Sequence, residues 1–195
     1  MAARRYGDSG QAFPIYITVA AGLLFLAFAY LAVGQAAVNR NGAQTAADAG
    51  ALAAAQNTRD QLAGKWVEAV LDPTRWQDIF DGNVALGDSC WRADQLAAQN
   101  DARVLHCQAP DPLTYRVDVE ADKPVGDTIV PGTEDMRSQA SAIAVIEPLC
   151  TFTLPDEDAD TLPKLNCKDG GWELNPDDGT DRPGPEDLFD VHLAD

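Results

Sequence analysis

Pro14-Ile-Tyr-Ile-Thr-Val-Ala-Ala-Gly-Leu-Leu-Phe-Leu-Ala-Phe-Ala-Tyr-Leu-Ala-Val33 is apolar on every side, and it sits inside 31 consecutive residues, Ser9 to Asn39, that carry no charge. A bilayer core of roughly 30 Å takes about 20 apolar residues in a helix. Inside lipid the backbone must satisfy its own hydrogen bonds, which selects helix. The sequence therefore predicts a transmembrane helix over 14–38, with Pro14 in the first turn, where its missing N–H is no loss. Arg4 and Arg5 in the leader (residues 1–13) favour a cytoplasmic N-terminus, although Arg40 on the other side blunts the asymmetry. Everything from about residue 40 onward is then expected outside the membrane. A cleaved signal peptide ending near Gly34-Gln35-Ala36 is the alternative, but its apolar region spans only about 7–15 residues, and this run is longer.

Outward from the anchor, composition narrows the choices. The formal net charge is −17 and the sequence pI about 4.2, which opposes binding to nucleic acid or other polyanions. No cofactor is expected. The four cysteines, Cys90, Cys107, Cys150 and Cys167, all fall on the outer side, where an even count reads as disulfides. Three pairings are open. Cys90–Cys107 and Cys150–Cys167 form equal local loops and close at the least entropic cost. Zinc is the rival reading, but the chain has no Cys-x-x-Cys and only two histidines.

After the membrane the helix is expected to continue, because Asn39–Gln56 is dominated by alanine, the best helix former. Leu62, Trp66, Val67 and Val70 then recur at helical spacing. Asp72-Pro73 reads as a stop and restart, so residues 39–71 form a helical extension with room for a bend near Asn57–Gly64. Gly34, Gly42 and Gly50 recur every eight residues amid alanines. They suggest either a packing surface for partner helices or composition alone.

Residues 72–154 read as an α+β domain. A short helix from Asp72 through Trp76, Ile79 and Phe80 ends at Asp81-Gly82. A second runs from a Ser89 cap over Cys90–Gln99, with Trp91, Leu96 and Ala97 inward. Leu113–Ala121 alternates with period two, which puts Leu113, Tyr115, Val117 and Val119 on one face of a strand. Asp127–Val130 and Gln139–Glu147 are the other expected strands, giving a small antiparallel sheet packed on helix. Residues 155–195 carry 13 acidic and 3 basic side chains with five prolines. A largely disordered acidic tail is expected there, pinned at its start by Cys167, with Trp172 and Leu188-Phe189 as its anchors.

The block Asn41-Gly-Ala-Gln-Thr-Ala-Ala-Asp-Ala-Gly-Ala-Leu-Ala-Ala-Ala55, directly after an apolar helix, resembles the TadE/TadG-like proteins of Flp (Tad) pilus assembly. Gln44, Ala46, Ala47, Asp48, Ala49, Ala51, Leu52 and Ala53 match that family's "LQ-x-AADAAALA" signature; Gly50 replaces an alanine and Ala43 the leucine. Gly7–Phe13 is similar to the family's glycine-containing entry, and the later strands resemble its ectodomain. The resemblance implies a membrane-anchored minor pilin or pseudopilin that works with other pilin-like or Tad assembly membrane proteins. It assigns helix packing to Gly34, Gly42, Gln44, Ala46, Ala47, Asp48 and Gly50, and possible processing to Gly10-Gln11. A cut after Gly10 would put Ile15 where prepilins carry a glutamate, so an uncut or differently processed subunit fits better. A membrane-tethered binding protein unrelated to pili is the alternative.

No catalytic constellation is legible. His106 and His192 stand in no nucleophile or metal-ligand spacing. Asp156, Asp158 and Asp160 imitate the start of a calcium loop, but Thr161 and Cys167 occupy the positions of its glycine and closing glutamate. The chain is read as a structural subunit and not an enzyme.

Overall fold

Alanine builds the spine of this molecule. Helix α1 spans Ala12–Glu68, 57 residues, about 85 Å at 1.5 Å per residue. The structure is a computed structural model that describes residues 12–124, 135–154, 162–174 and 182–194. No helix break occurs at Asn57–Gly64, and α1 ends three residues short of Leu71. Beyond its end, the Trp76 indole donates to the Ala69 carbonyl at 2.9 Å, satisfying one of the acceptors that a helix terminus leaves open.

After a 3₁₀ turn at Pro73–Arg75 come α2 (Trp76–Phe80) and α3 (Cys90–Gln99). Gly82 follows α2 with φ +72°, a left-handed conformation that costs a residue with a Cβ about 1–2 kcal/mol. A Cβ there would also lie 2.7 Å from Pro112, so glycine is required twice over. Ser89 precedes α3 as expected, yet its side chain makes no cap bond; Asp88 accepts from the Cys90 N–H at 3.0 Å instead. Ala93 and Ala97 are the buried residues of α3. Trp91, expected inward, is 52% exposed, with the Arg92 guanidinium over its ring.

The main sheet is antiparallel, in the order β1-β2-β3-β7, from β1 (Ala102–Asp111), β2 (Thr114–Pro124), β3 (Arg137–Pro148) and β7 (Phe189–Leu193). Period two decides its faces. Tyr115, Val117 and Val119 of β2, with Ala142, Ala144 and Ile146 of β3, are buried and packed with the alanines of α1 in one core. A second sheet, β4-β5-β6, joins Cys150–Phe152, Leu165–Cys167 and Gly170–Trp172. Above the end of α1, Trp66, Trp76, Phe152, Phe80 and Phe189 form a chain of rings with centroids 5.2–6.0 Å apart. Tilted and edge-to-face pairs of this kind add about 0.5–1.5 kcal/mol each beyond area burial.

The α+β class with one long apolar N-terminal helix and a small antiparallel sheet is as expected, but two features differ. β1 was not expected as a strand; its register slips between Val104 and His106 and again between Gln108 and Asp111, which breaks the alternation that marks a strand. The acidic C-terminal segment is not a tail throughout. Leu165–Trp172 forms two strands, α4 (Pro185–Leu188) follows, and β7 pairs with β3 from Ala144↔Leu193 to Pro148↔Phe189. Leu188 and Phe189 are fully buried, so two apolar side chains in the core outweigh an unfavourable composition. The strand expected at Asp127–Val130 lies outside the described residues.

Candidate functional site at the junction of apolar helix and head

α1 divides by what surrounds it. Over Phe13–Leu31 it is long and apolar enough to cross a membrane, and none of that stretch is buried; Phe13, Tyr16, Phe25 and Tyr30 stand 68–80% exposed. Thr18, the polar side chain in this part, returns its hydroxyl to the Pro14 and Ile15 carbonyls at 2.9 Å. From Ala43 onward the same helix is the wall of a core.

The signature residues sort by face. Ala46, Ala47, Ala51, Ala54 and Ala55 are fully buried. Gly50 is buried too, and a Cβ there would meet Val117 Cγ1 at 3.4 Å and the Ala93 carbonyl at 3.5 Å. The small residues thus let α1 lie close to β2 and α3 of its own chain, instead of offering an open face to a partner helix. Gly34 and Gly42 differ: both are exposed, and a Cβ on either would meet nothing within 4 Å. Gly10 and Gln11 lie outside the described residues.

Gln44 and Asp48 form a latch at the rim of this contact. The Gln44 amide donates to Asp48 Oδ1 at 2.8 Å and to the Ser141 carbonyl at 3.3 Å, so one side chain ties two turns of α1 to β3. Nearer the apolar stretch, the Asn39 amide donates to the Pro124 carbonyl at 3.3 Å. Farther up, Thr58 and Ser89, both fully buried, share a hydrogen bond of 2.7 Å, and the Thr58 and Tyr115 hydroxyls share another of 2.9 Å. Ser89 also donates to Asn57 Oδ1 at 3.1 Å. Gln61 accepts from the Gly87 N–H at 2.7 Å. Sequence reading missed this cluster. Its visible trace is a polar Asn-Thr pair, Asn57-Thr58, breaking the alanine face of a helix.

The disulfides fall as the two local loops: Cys90 of α3 with Cys107 of β1, and Cys150 with Cys167 across β4 and β5. No cysteine is free. The sheet face turned from α1 carries a polar ladder. Asp118 is held below the usual carboxylate range by the Ser141 hydroxyl, helped by Arg116 and His106. Glu120 is lowered chiefly by the Gln139 amide, then by Arg103 and Arg137. On the same sheet Glu147, Asp190 and His192 bring one ligand atom each within 4.8 Å of the others, with His192 Nδ1 3.2 Å from Asp190 Oδ2. All three are exposed, and His106 is not among them.

A latch at the rim, a close-packed alanine face and an exposed apolar rod can hold a head against a helix long and apolar enough to cross a membrane. They present no nucleophile–base pair. No curated protein and no solved structure matches this chain. Residues 10–57, which contain the apolar stretch, the latch and most of the alanine face, match the protein-family model described as putative Flp pilus-assembly TadE/G-like.

Proposed function

We propose that this chain is a single-pass membrane subunit of a Flp (Tad) pilus-assembly system, of the TadG-like kind. Its leader is cytoplasmic, Phe13–Leu31 spans the bilayer, and the disulfide-bonded head is extracytoplasmic. The observation that carries the reading is the overlap of the family match at 10–57 with a helix that is bare and apolar at one end and core-forming at the other. Two disulfides suit an oxidising compartment, which supports that orientation. The role is assembly and not catalysis, and the partners are other pilin-like or Tad membrane proteins. They meet the chain along the bare part of α1, where Gly34 and Gly42 leave room for close approach. Retention of the intact N-terminus, without a cut between Gly10 and Gln11, belongs to the same reading.

Deleting the gene in its host and counting surface pili by electron microscopy tests the role. Loss of pili, restored by the full chain but not by the head alone, is the expected result. Unchanged piliation would refute it.

A further inference from the structure

Asn39 marks the level at which the head first meets α1, and that level is very close to lipid. From Leu31 at the end of the membrane-spanning stretch to Asn39 is eight residues, or about 12 Å of helix. Residues 32–39 carry no charge, so the bilayer edge can also ride higher on the rod. The headgroup layer on each side of a bilayer is about 5–8 Å thick. Asn39 is hydrogen-bonded to Pro124, the last residue of β2. Pro124 pairs with Arg137, the first of β3. Both strands run along α1, and Gln44 holds Ser141 one helical turn farther from the membrane. The end of the β2–β3 pair therefore points at the bilayer.

The chemistry of that end fits an interface. Met136 is 58% exposed, and Arg40 and Arg137 are exposed. The Lys123 side chain is 74% exposed, 3.0 Å from Asp101. Asp122 and Asp135 lie there too, so among the described residues three cations and three aspartates are interleaved at this end. A mixed surface of this kind matches a zwitterionic headgroup, with phosphate and ammonium at nearly the same depth, better than a net anionic one. Long cationic side chains also place an apolar stem in the interface and a charged tip in water, and the Met136 thioether is a flexible apolar side chain that can fill an irregular layer.

We propose that this end of the head, formed by Arg40, Lys123, Met136 and Arg137, is seated in the zwitterionic phospholipid headgroup layer. The head is then held at two places, by α1 through the bilayer and by the strand ends on its surface. This inference rests on the anchor reading above. The seat fixes the head's tilt, because a rod held only at its base would let an attached body swing.

The chain has two methionines, Met1 and Met136, which makes methyl labelling selective. The full chain, ¹³C-labelled at the methionine methyls, is placed in phosphatidylcholine nanodiscs containing a gadolinium-chelate phospholipid. Leu71→Met supplies a reference methyl just past the end of α1, about 40 Å farther along the axis; Met136→Leu assigns the test signal. The Met136 signal is expected to lose more than half its intensity, and the methyl at position 71 to keep it. A chain that enters the discs with both signals equally intense overturns the seat alone. A chain that does not co-elute with the discs overturns the anchor reading and the seat with it.

Discussion

At Gly50, Ala46 and Gly42 the same kind of substitution should have opposite consequences. Ala46 is fully buried, and Gly50 stands at van der Waals distance from Val117 and Ala93. Enlarging either to leucine overpacks the core and should cost about 1–3 kcal/mol, read as a lower midpoint in denaturant unfolding followed by near-UV circular dichroism. Gly42→Leu should leave that midpoint within about 0.5 kcal/mol, because nothing lies near its Cβ. Equal loss at all three positions would contradict the division of α1 into a head-facing and an open part. Asp118 and Glu120 make a second test. Their folded pKa values are depressed, so the stability they lend is fully present above the ordinary carboxylate range, near pH 4. It is lost as the pH falls through the depressed values. Ser141→Ala and Gln139→Ala should lower stability at neutral pH while leaving it nearly unchanged below the depressed values, which flattens the acid limb of the stability curve; an unaltered limb would count against the ladder.

Among the elements, the last strand matters most. β7 closes the sheet beside β3 and brings Phe189 against Phe80 at 5.4 Å. Phe189→Ala should cost about 3–5 kcal/mol, and removing residues 182–195 should release protection of the β3 amides in hydrogen exchange. An unchanged exchange pattern would restore the reading of this segment as a dispensable tail. The Cys150–Cys167 link closes a loop of 17 residues, a length at which a crosslink is worth about 3 kcal/mol in the chain-entropy account. Paired Cys150→Ser and Cys167→Ser changes should lower stability by that order. These elements also show what a sequence reveals. α1, α2, α3, β2 and β3 are legible because alanine content and clean periods of 3.6 and 2 announce them. β1 is hidden by two register slips, and β7 by an acidic neighbourhood whose few apolar residues pay off only when a distant core receives them. The Thr58–Ser89–Tyr115 cluster is hidden for the same reason, since its members meet across 31 and 57 residues of chain.

At the scale of the whole molecule, a chain of net charge −17 carries one end suited to lipid and one suited to water, with a single helix belonging to both. The alanine-rich block inside the segment that the family model matches is mostly spent on holding the head to that helix, which leaves Phe13–Leu31 as the stretch of α1 bare of the head. This division was not legible in the sequence, because small residues look alike whether they face a partner or the chain's own sheet. The account stands on lipid solvating the front of α1 while the head folds in an oxidising space. Fractionation of host cells with thiol trapping tests this most directly. The chain should remain with membranes through an alkaline carbonate wash, need detergent for release, and show both disulfides formed. Recovery of the intact chain in the cytosolic fraction, without detergent and with four reactive thiols, would contradict it.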